Sequence, residues 1–365
     1  MKALFAIIFI LHALIHLLGF VKAFELAKVS QLTGAISRPV GLLWLLTALL
    51  LAAGIVLFIL NHAAWWMVAL PAVVLSQLLI ILSWTDAKFG TIANVLVLVV
   101  IVINASTYLL ENGFHHIVDA HLRSHVSQHE EQLSEADIVH LPAPVQKYLR
   151  YSGSMGKPKV GNFKAVFRGG IRFKPGEDYM PLSSIQYNFM AKPARLFYIL
   201  AKKNGLPAVG LHYYQDEHAT FQIKLLGLFN VVDARGKKMD QGETVTVFND
   251  MCFIAPATLI DRRITWEAVD DRTAKAVYGN GDIAIRATLF FNEKGELVNF
   301  VSDDRFETDG KSYKSYPWST PVTGYRDING YRLPAGARLI YSRPDGEFCY
   351  GEFQLEELQY NVTSR

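Results

Sequence analysis

Few of the residues carry charge, and very few can form a covalent cross-link. Charged side chains make up 19% of the 365 residues, against about 25% in an average soluble domain, and the net charge is +3. This small excess of positive charge is spread along the chain, which excludes the basic surface of a nucleic-acid-binding protein. Cys252 and Cys349 lie far apart without a C-x-x-C pair, which argues against zinc and thioredoxin-like sites. They are either two buried thiols, which we favour, or one disulfide in an oxidising compartment.

The sequence also lacks the common catalytic and cofactor motifs. It contains no G-x-S-x-G elbow, P-loop, H-E-x-x-H helix or dinucleotide fingerprint, so we expect no cofactor. The acidic side chains that remain candidates for acid–base chemistry are Asp250, Asp261, Glu267, Asp303 and Asp304. Ion pairs such as Asp304 with Arg305, or Asp261 with Arg262 and Arg263, are the simpler interpretation. His212 and His218 have no evident catalytic partner in the sequence.

Long apolar runs dominate the first third of the chain. The four runs cover residues 3–21, 40–60, 64–84 and 91–110. Each is close to the roughly 20 residues that cross a bilayer as a helix, and tryptophans fall near several of their ends. The first run lacks a small-residue cleavage site and is followed by three more, so we interpret it as a retained helix. The sequence therefore predicts a four-helix transmembrane domain over residues 1–111.

The short loops indicate an orientation. Lys22, Lys28 and Arg38 lie between the first two runs, and Lys88 lies between the last two. The opposite side carries Lys2 and Arg123, with an uncharged turn at residues 61–62. The positive-inside rule then places both termini outside. We expect a multi-pass protein of the bacterial cytoplasmic membrane with an extracytoplasmic C-terminal domain.

Two histidines lie inside the first run. His12 and His16 are four residues apart and therefore share a helix face. Polar residues within membranes are often functional, and paired histidines can bind haem or a metal. The interpretation that we favour is structural, with hydrogen bonds to neighbouring helices through Ser76, Gln77, Asn94 or Asn104.

A histidine-rich segment, "HHIVDAHLRSHVSQHEEQ", follows the fourth run at residues 115–132. Its histidines flank an apolar stripe, which predicts an amphipathic connector helix within residues 112–140. His121, His125 and His129 are candidate metal ligands at four-residue spacing. A pH-responsive contact is a second interpretation, and a solvated connector is the one that we favour.

From residue 141 to residue 365 the period of the apolar residues changes to two. About ten strands separated by turns such as "NGD", "EKGE" and "PDGE" predict an antiparallel sheet. Residues 240–263 read as an inserted helical segment. The predicted fold is thus a membrane α-helical bundle followed by an α+β domain, a large curved antiparallel sheet or incomplete β-barrel with inserted helices.

Five segments carry a resemblance to a known family. They are "LPAPVQKYLRYSG" (141–153), "FNDMCFIAPATLIDRRITWEAVDD" (248–271), "LFFNEKGELVNFVSDDRF" (289–306), "STPVTGYRDINGYRLPAGA" (319–337) and "PDGEFCYGEFQLEELQYN" (344–361). Together they resemble a bacterial domain-of-unknown-function family whose members carry N-terminal membrane helices. The last segments are also similar to LolA/LolB-like lipoprotein carriers, which are open barrels with a hydrophobic cavity. The first resemblance implies bacterial origin, and neither transfers a catalytic residue.

Three functions remain open at this point. The first, which we favour, is a membrane-anchored domain that binds a lipid or another apolar ligand in the concave face of its sheet. The second is an envelope enzyme using the carboxylates between residues 250 and 305. The third is a membrane sensor or scaffold. The expected partners are membrane lipids and an apolar ligand, without nucleic acid; the sequence identifies no protein partner.

Overall fold

The structure, a computed structural model of the full chain, describes residues 2–124, 131–203 and 205–365. The chain divides into two compact units, Met1–Leu110 and Glu111–Arg365. Among the described residues, the helices of the first unit are α1 (Lys2–Ala23), α2 (Arg38–Ile59), α3 (Trp65–Leu82), the short α4 (Trp84–Ala87) and α5 (Gly90–Ser124). Four of them, all except α4, are long and apolar enough to cross a membrane.

The first unit buries little of its apolar surface. In the most apolar 18-residue window of each long helix, only 17 to 39% of the residues are buried. Its core is small and centres on Phe9, Leu51, Trp65, Ala69 and Val97. Leucines and isoleucines cover much of the outer surface, as expected for helices whose solvent is hydrocarbon.

The helix α5 extends well beyond the predicted fourth run. It is unbroken through Ser124, so the start of the predicted connector is the end of this helix. Residues 125–130, which include His125 and His129, lie outside the described residues.

The second unit is a curved antiparallel half-barrel. Its early helices are α6 (Glu135–Ile138) and α7 (Ala143–Tyr151), and α8 (Lys237–Phe253) with a 3-10 turn at Pro256–Ile260 separates two groups of strands. The first group is β1 (Asn162–Ile171), β2 (Met180–Phe189), β3 (Ala194–Lys203), β4 (Leu206–Gln215), β5 (His218–Leu225) and β6 (Phe229–Arg235). The second group is β7 (Ile264–Asp270), β8 (Thr273–Asn280), β9 (Ile283–Phe291), β10 (Leu297–Ser302), β11 (Phe306–Thr308), β12 (Tyr313–Ser315), β13 (Trp318–Ser319), β14 (Val322–Ile328), β15 (Tyr331–Arg343) and β16 (Gly346–Tyr360).

Fourteen of the described strands form one sheet. Its order is β6-β5-β4-β3-β2-β1-β16-β15-β13-β10-β9-β8-β7, with β14 paired to β15, and β11 and β12 form a separate hairpin. The pairing of β1 with β16 joins the two groups in the middle. The helix α8 therefore links the two edges of the sheet, β6 and β7, which confirms the predicted large curved sheet with an inserted helix.

The helix α8 is an interior element. All residues from Met239 to Phe253 except Gln241 are buried. Phe248 stacks on Tyr278 from β8, with ring centroids 5.3 Å apart. Near its C-terminal end, Tyr148 Oη donates to the carbonyl oxygen of Cys252 at 2.8 Å, and Tyr360 Oη donates to that of Ile254. These hydroxyls satisfy carbonyl groups that have no partner within the helix.

Candidate ligand-binding cavity

A cavity of about 290 Å³ lies between the sheet and α8. Six of its lining side chains form an apolar wall: Phe167, Phe197, Ile199, Phe221, Ile223 and Phe353. They come from β1, β3, β5 and β16, where alternate residues face the same side of the sheet. The exposed side chains of Phe173 and Lys238 also line the cavity, which places part of its boundary at solvent.

The apolar wall centres on a small cluster of buried residues. Phe197, Ile199 and Ile223 pack together in it, and the other three aromatic residues of the wall border it. The large core around α8 is a separate cluster of buried residues. Phe167 and Phe221 border both clusters, so the wall extends from the main core to the cavity.

Polarity changes along the strands that carry this wall. Four cross-strand rows can be read from the register of β2, β3, β4 and β5. In order they are Asn188-Arg195-Tyr214-Ala219, Gln186-Phe197-His212-Phe221, Ser184-Ile199-Gly210-Ile223 and Leu182-Ala201-Ala208-Leu225. The polar rows thus lead directly into the apolar rows on one face of one sheet.

A buried charge cluster ties α8 to the polar rows. The Arg195 cluster consists of Arg195 (β3), His212 (β4), Glu243 (α8) and Asp250 (α8). Arg195 Nε donates to Asp250 Oδ2 at 2.7 Å, and Arg195 Nη1 donates to Glu243 Oε1 at 2.8 Å. Gln186 and Asn188 also donate to Asp250 Oδ2, at 2.7 and 3.0 Å. These contacts compensate for the burial of two carboxylates on one helix.

The two carboxylates respond differently to their surroundings. Burial alone would raise the pKa of Glu243, but the facing His212 and Arg195 outweigh it and lower the pKa to about 2. Burial raises the pKa of Asp250 above its usual value, and Arg195 offsets only part of that rise.

Burial also lowers the pKa of His212, with Glu243 opposing the shift. His212 Nε2 lies 2.8 Å from Glu243 Oε2, so the ring faces the carboxylate at close range. The Arg195 cluster thus pairs one guanidinium with both carboxylates of α8 and holds this helix against the sheet.

Arg305 lies on another side of the cavity and contacts uncharged side chains. Arg305 follows β10, and its Nε donates to Thr246 Oγ1 of α8 at 3.1 Å. Its Nη1 donates to Tyr341 Oη, and the guanidinium carbon lies 4.5 Å from the centroid of the Trp318 ring. Arg305, Thr246, Trp318 and Tyr341 all line the cavity.

The predicted carboxylate site does not assemble. Of the candidates, Asp250 lines the cavity, whereas Asp261 pairs with Arg263 and the exposed Glu267 pairs with Lys275. Asp304 Oδ2 accepts from the backbone N–H of Arg286 at 2.6 Å.

The predicted ion pair between Asp304 and Arg305 is wrong, because the Arg305 side chain turns towards Thr246 and Tyr341 instead. The strand β10 ends at Ser302, so Asp303 and Asp304 lie beyond it. His212, which has no evident partner in the sequence, faces Glu243 of α8.

The histidine candidates occupy two places. His12 Nε2 lies 2.8 Å from Asn94 Oδ1 and 3.2 Å from Ser76 Oγ, and His16 Nδ1 lies 2.8 Å from the His12 carbonyl oxygen. The His12 contacts join α1 to α3 and α5, whereas the His16 contact lies within α1.

His121 Nε2 lies 3.0 Å from Gln215 Oε1, while His125 and His129 fall outside the described residues. Within residues 2–124, 131–203 and 205–365 no group of three potential ligands is placed to hold a metal ion. Cys252 and Cys349 are both free thiols, the first buried and the second half-buried.

The fold and the cavity define a class of protein in which membrane-length helices precede a β half-barrel with an apolar pocket. Within that class, the chain belongs to a family of unknown function, DUF6544, whose model matches residues 131–353. This confirms the predicted membership of a domain-of-unknown-function family. No curated protein matches the chain.

Among solved structures, the chain is similar to a DUF1329 family protein from Desulfovibrio piger. The identity is 13%, the match covers 61% of this chain and 94% of that one, and the TM-score is 0.27. So low a TM-score carries no argument about ligand or function, and the resemblance to LolA/LolB-like carriers stays a prediction.

Proposed function

We propose that the second unit binds a lipid or another apolar molecule in the cavity, and that the long apolar helices anchor it to the cytoplasmic membrane. The observation that carries the proposal is the apolar wall, six large side chains that line a cavity of about 290 Å³. Ligand sites are typically concave and mostly apolar, with a few polar groups for orientation, and pockets of about 300–1,000 Å³ are usual.

A photoreactive probe tests the site. We expect a diazirine derivative of dodecanol, added to the full-length chain in lipid nanodiscs, to label peptides from β3, β5 and β16. Ile223→Trp places a larger ring in the apolar wall and should abolish this labelling, because Ile223 is 6% exposed and faces the cavity. Val277→Trp is the matched control, since Val277 is 38% exposed on β8 and does not line the cavity.

Equal labelling of these strands in the two variants would contradict the proposal, provided that both unfold at the same temperature as the parent chain. Labelling confined to α1, α2, α3 and α5 in every protein would contradict it as well, because it would report only probe dissolved in the bilayer.

We also propose that both termini, and with them the binding unit, face away from the cytoplasm. The support is the excess of lysine and arginine in the loops before α2 and α5. With Cys349 replaced by serine, Asn61→Cys should react with a membrane-impermeant maleimide on intact cells, and Lys28→Cys should react only after permeabilisation. The reverse pattern would invert the orientation.

A further inference from the structure

The charges that line the cavity are unbalanced. Four lining residues are cationic, namely Arg172, Arg195, Lys238 and Arg305, whereas only Asp250 and Glu307 carry carboxylates. Both carboxylates are already paired, Asp250 with Arg195 and Glu307 with Arg343. The surplus of positive charge therefore remains for whatever enters the cavity.

Arg305 is the most enclosed of the cations that have no acidic partner. Across the described part of the chain, no carboxylate lies within 4 Å of its guanidinium, and no protein atom accepts a hydrogen bond from its Nη2. The groups that its side chain contacts, Thr246, Trp318 and Tyr341, are uncharged, and the nearby Glu243 carboxylate acts on it only from beyond ion-pair distance, being paired with Arg195. A half-buried guanidinium without an ion-pair partner attracts an anion more strongly than an exposed one does, because water screens the pair less.

The other two such cations are held or placed differently. Arg172 Nε donates to the Cys349 carbonyl oxygen at 2.8 Å, and its guanidinium carbon lies 4.6 Å from the centroid of the Tyr179 ring. Lys238 is exposed, so water screens its charge.

We infer that Arg305 binds the anionic head group of an amphiphile, a carboxylate or a phosphate, whose hydrocarbon chain lies against the apolar wall. This inference rests on the proposed function and adds the class of ligand. A planar guanidinium with a free donor suits the oxygens of either head group. The cavity thus offers one site for the charged head group of the ligand and another for its hydrocarbon chain.

Chain-matched competitors test the inference against the labelled dodecanol. In the parent chain, dodecanoate and dodecyl phosphate should displace the photolabel from β3 and β5 at about 10- to 100-fold lower free concentration than dodecanol, since hydrogen bonds to charged groups are the strong ones. Dodecylammonium should compete no better than dodecanol. Inorganic phosphate and acetate, which have no chain, should not compete at the same concentrations.

Arg305→Gln should remove the preference for the anions over dodecanol. Lys238→Gln and Arg172→Gln are matched controls and should retain the preference. Each competitor partitions into the nanodisc to the same extent whichever variant is present. The difference between head groups, compared between variants, therefore reports the protein site alone, as in a double-mutant cycle. Arg305→Lys keeps the charge and should retain part of the preference.

Equal displacement by dodecanoate and dodecanol in the parent chain would overturn the inference without the use of any variant. Loss of the preference in Lys238→Gln or Arg172→Gln, with Arg305→Gln unaffected, would overturn it too. In either case the cavity would still be labelled, so the proposed function would stand. Absence of any cavity labelling would instead contradict the proposed function itself.

Discussion

Replacing Glu243 with glutamine should weaken the anchoring of α8 more than any change on the surface. Glu243 is fully buried and faces both Arg195 Nη1 and His212 Nε2 at 2.8 Å. The amide is neutral, so Arg195 loses one of its two carboxylates and His212 loses its acceptor charge. Removing one partner of a buried ion pair costs about 3–5 kcal/mol. We expect the lower end of that range, because Arg195 keeps Asp250.

Cys252 provides the assay. Its thiol lies on α8, is fully buried, and has a pKa that burial raises well above the usual value, so it reacts with a maleimide only when the second unit opens. With Cys349 replaced by serine, the labelling rate of Cys252 reports this opening in the full-length protein. About 3 kcal/mol corresponds to a rate roughly 150-fold higher in Glu243→Gln.

Glu267→Gln makes the same chemical change at an exposed ion pair with Lys275, where N and O lie 3.7 Å apart. Such pairs contribute little, so we expect this control to change the rate by less than about fivefold. Equal rates in Glu243→Gln and Glu267→Gln would refute the account of the Arg195 cluster.

Two further predictions concern pH and chain length. Because the pKa of His212 is lowered in the folded state, the unfolded state takes up the proton first as the pH falls below 6.5, and stability is lost from there downwards. The labelling rate of Cys252, corrected for the intrinsic reactivity of the thiol, gives the free energy of opening at each pH. As the pH falls, this free energy should decrease more steeply in the parent chain than in His212→Gln, by up to about 1.4 kcal/mol per pH unit. Exposed His140→Gln should keep the parent slope, and identical slopes in all three proteins would contradict the assignment. For the cavity, lengthening the competitor from hexanoate to dodecanoate should lower the free concentration needed for displacement by roughly 15-fold for every two methylenes, because each buried methylene contributes about 0.8 kcal/mol. The same displacing concentration for all chain lengths would contradict burial of the hydrocarbon chain.

Much of the architecture could be predicted from local patterns. Membrane-length runs need only composition, and the strands follow from alternation, as at Phe163, Ala165 and Phe167 in "NFKAVF". The segment "ARLFYIL" (194–200) carries a further signal, because Arg195 lies on the same face of its strand as Phe197 and Ile199. A buried arginine requires a partner, so the position alone indicates a buried carboxylate elsewhere in the chain.

The partners themselves could not be predicted. Glu243 and Asp250 are 48 and 55 residues from Arg195, and the three meet only because α8 links the two edges of the half-barrel. Adjacent opposite charges favoured a pair between Asp304 and Arg305, yet the end of β10 at Ser302 directs the two side chains apart. Which charges pair depends on the curvature and closure of the sheet, and local periodicity does not encode either of them.

The central claim is that the half-barrel encloses one apolar or amphiphilic ligand. Native mass spectrometry of the full-length protein with added dodecanoate, in the parent chain and in Ile223→Trp, tests it most directly. The account predicts one bound dodecanoate per parent chain and none in the variant, because the indole occupies the apolar wall. The same number of bound dodecanoate molecules in both proteins, or none in either, would contradict it.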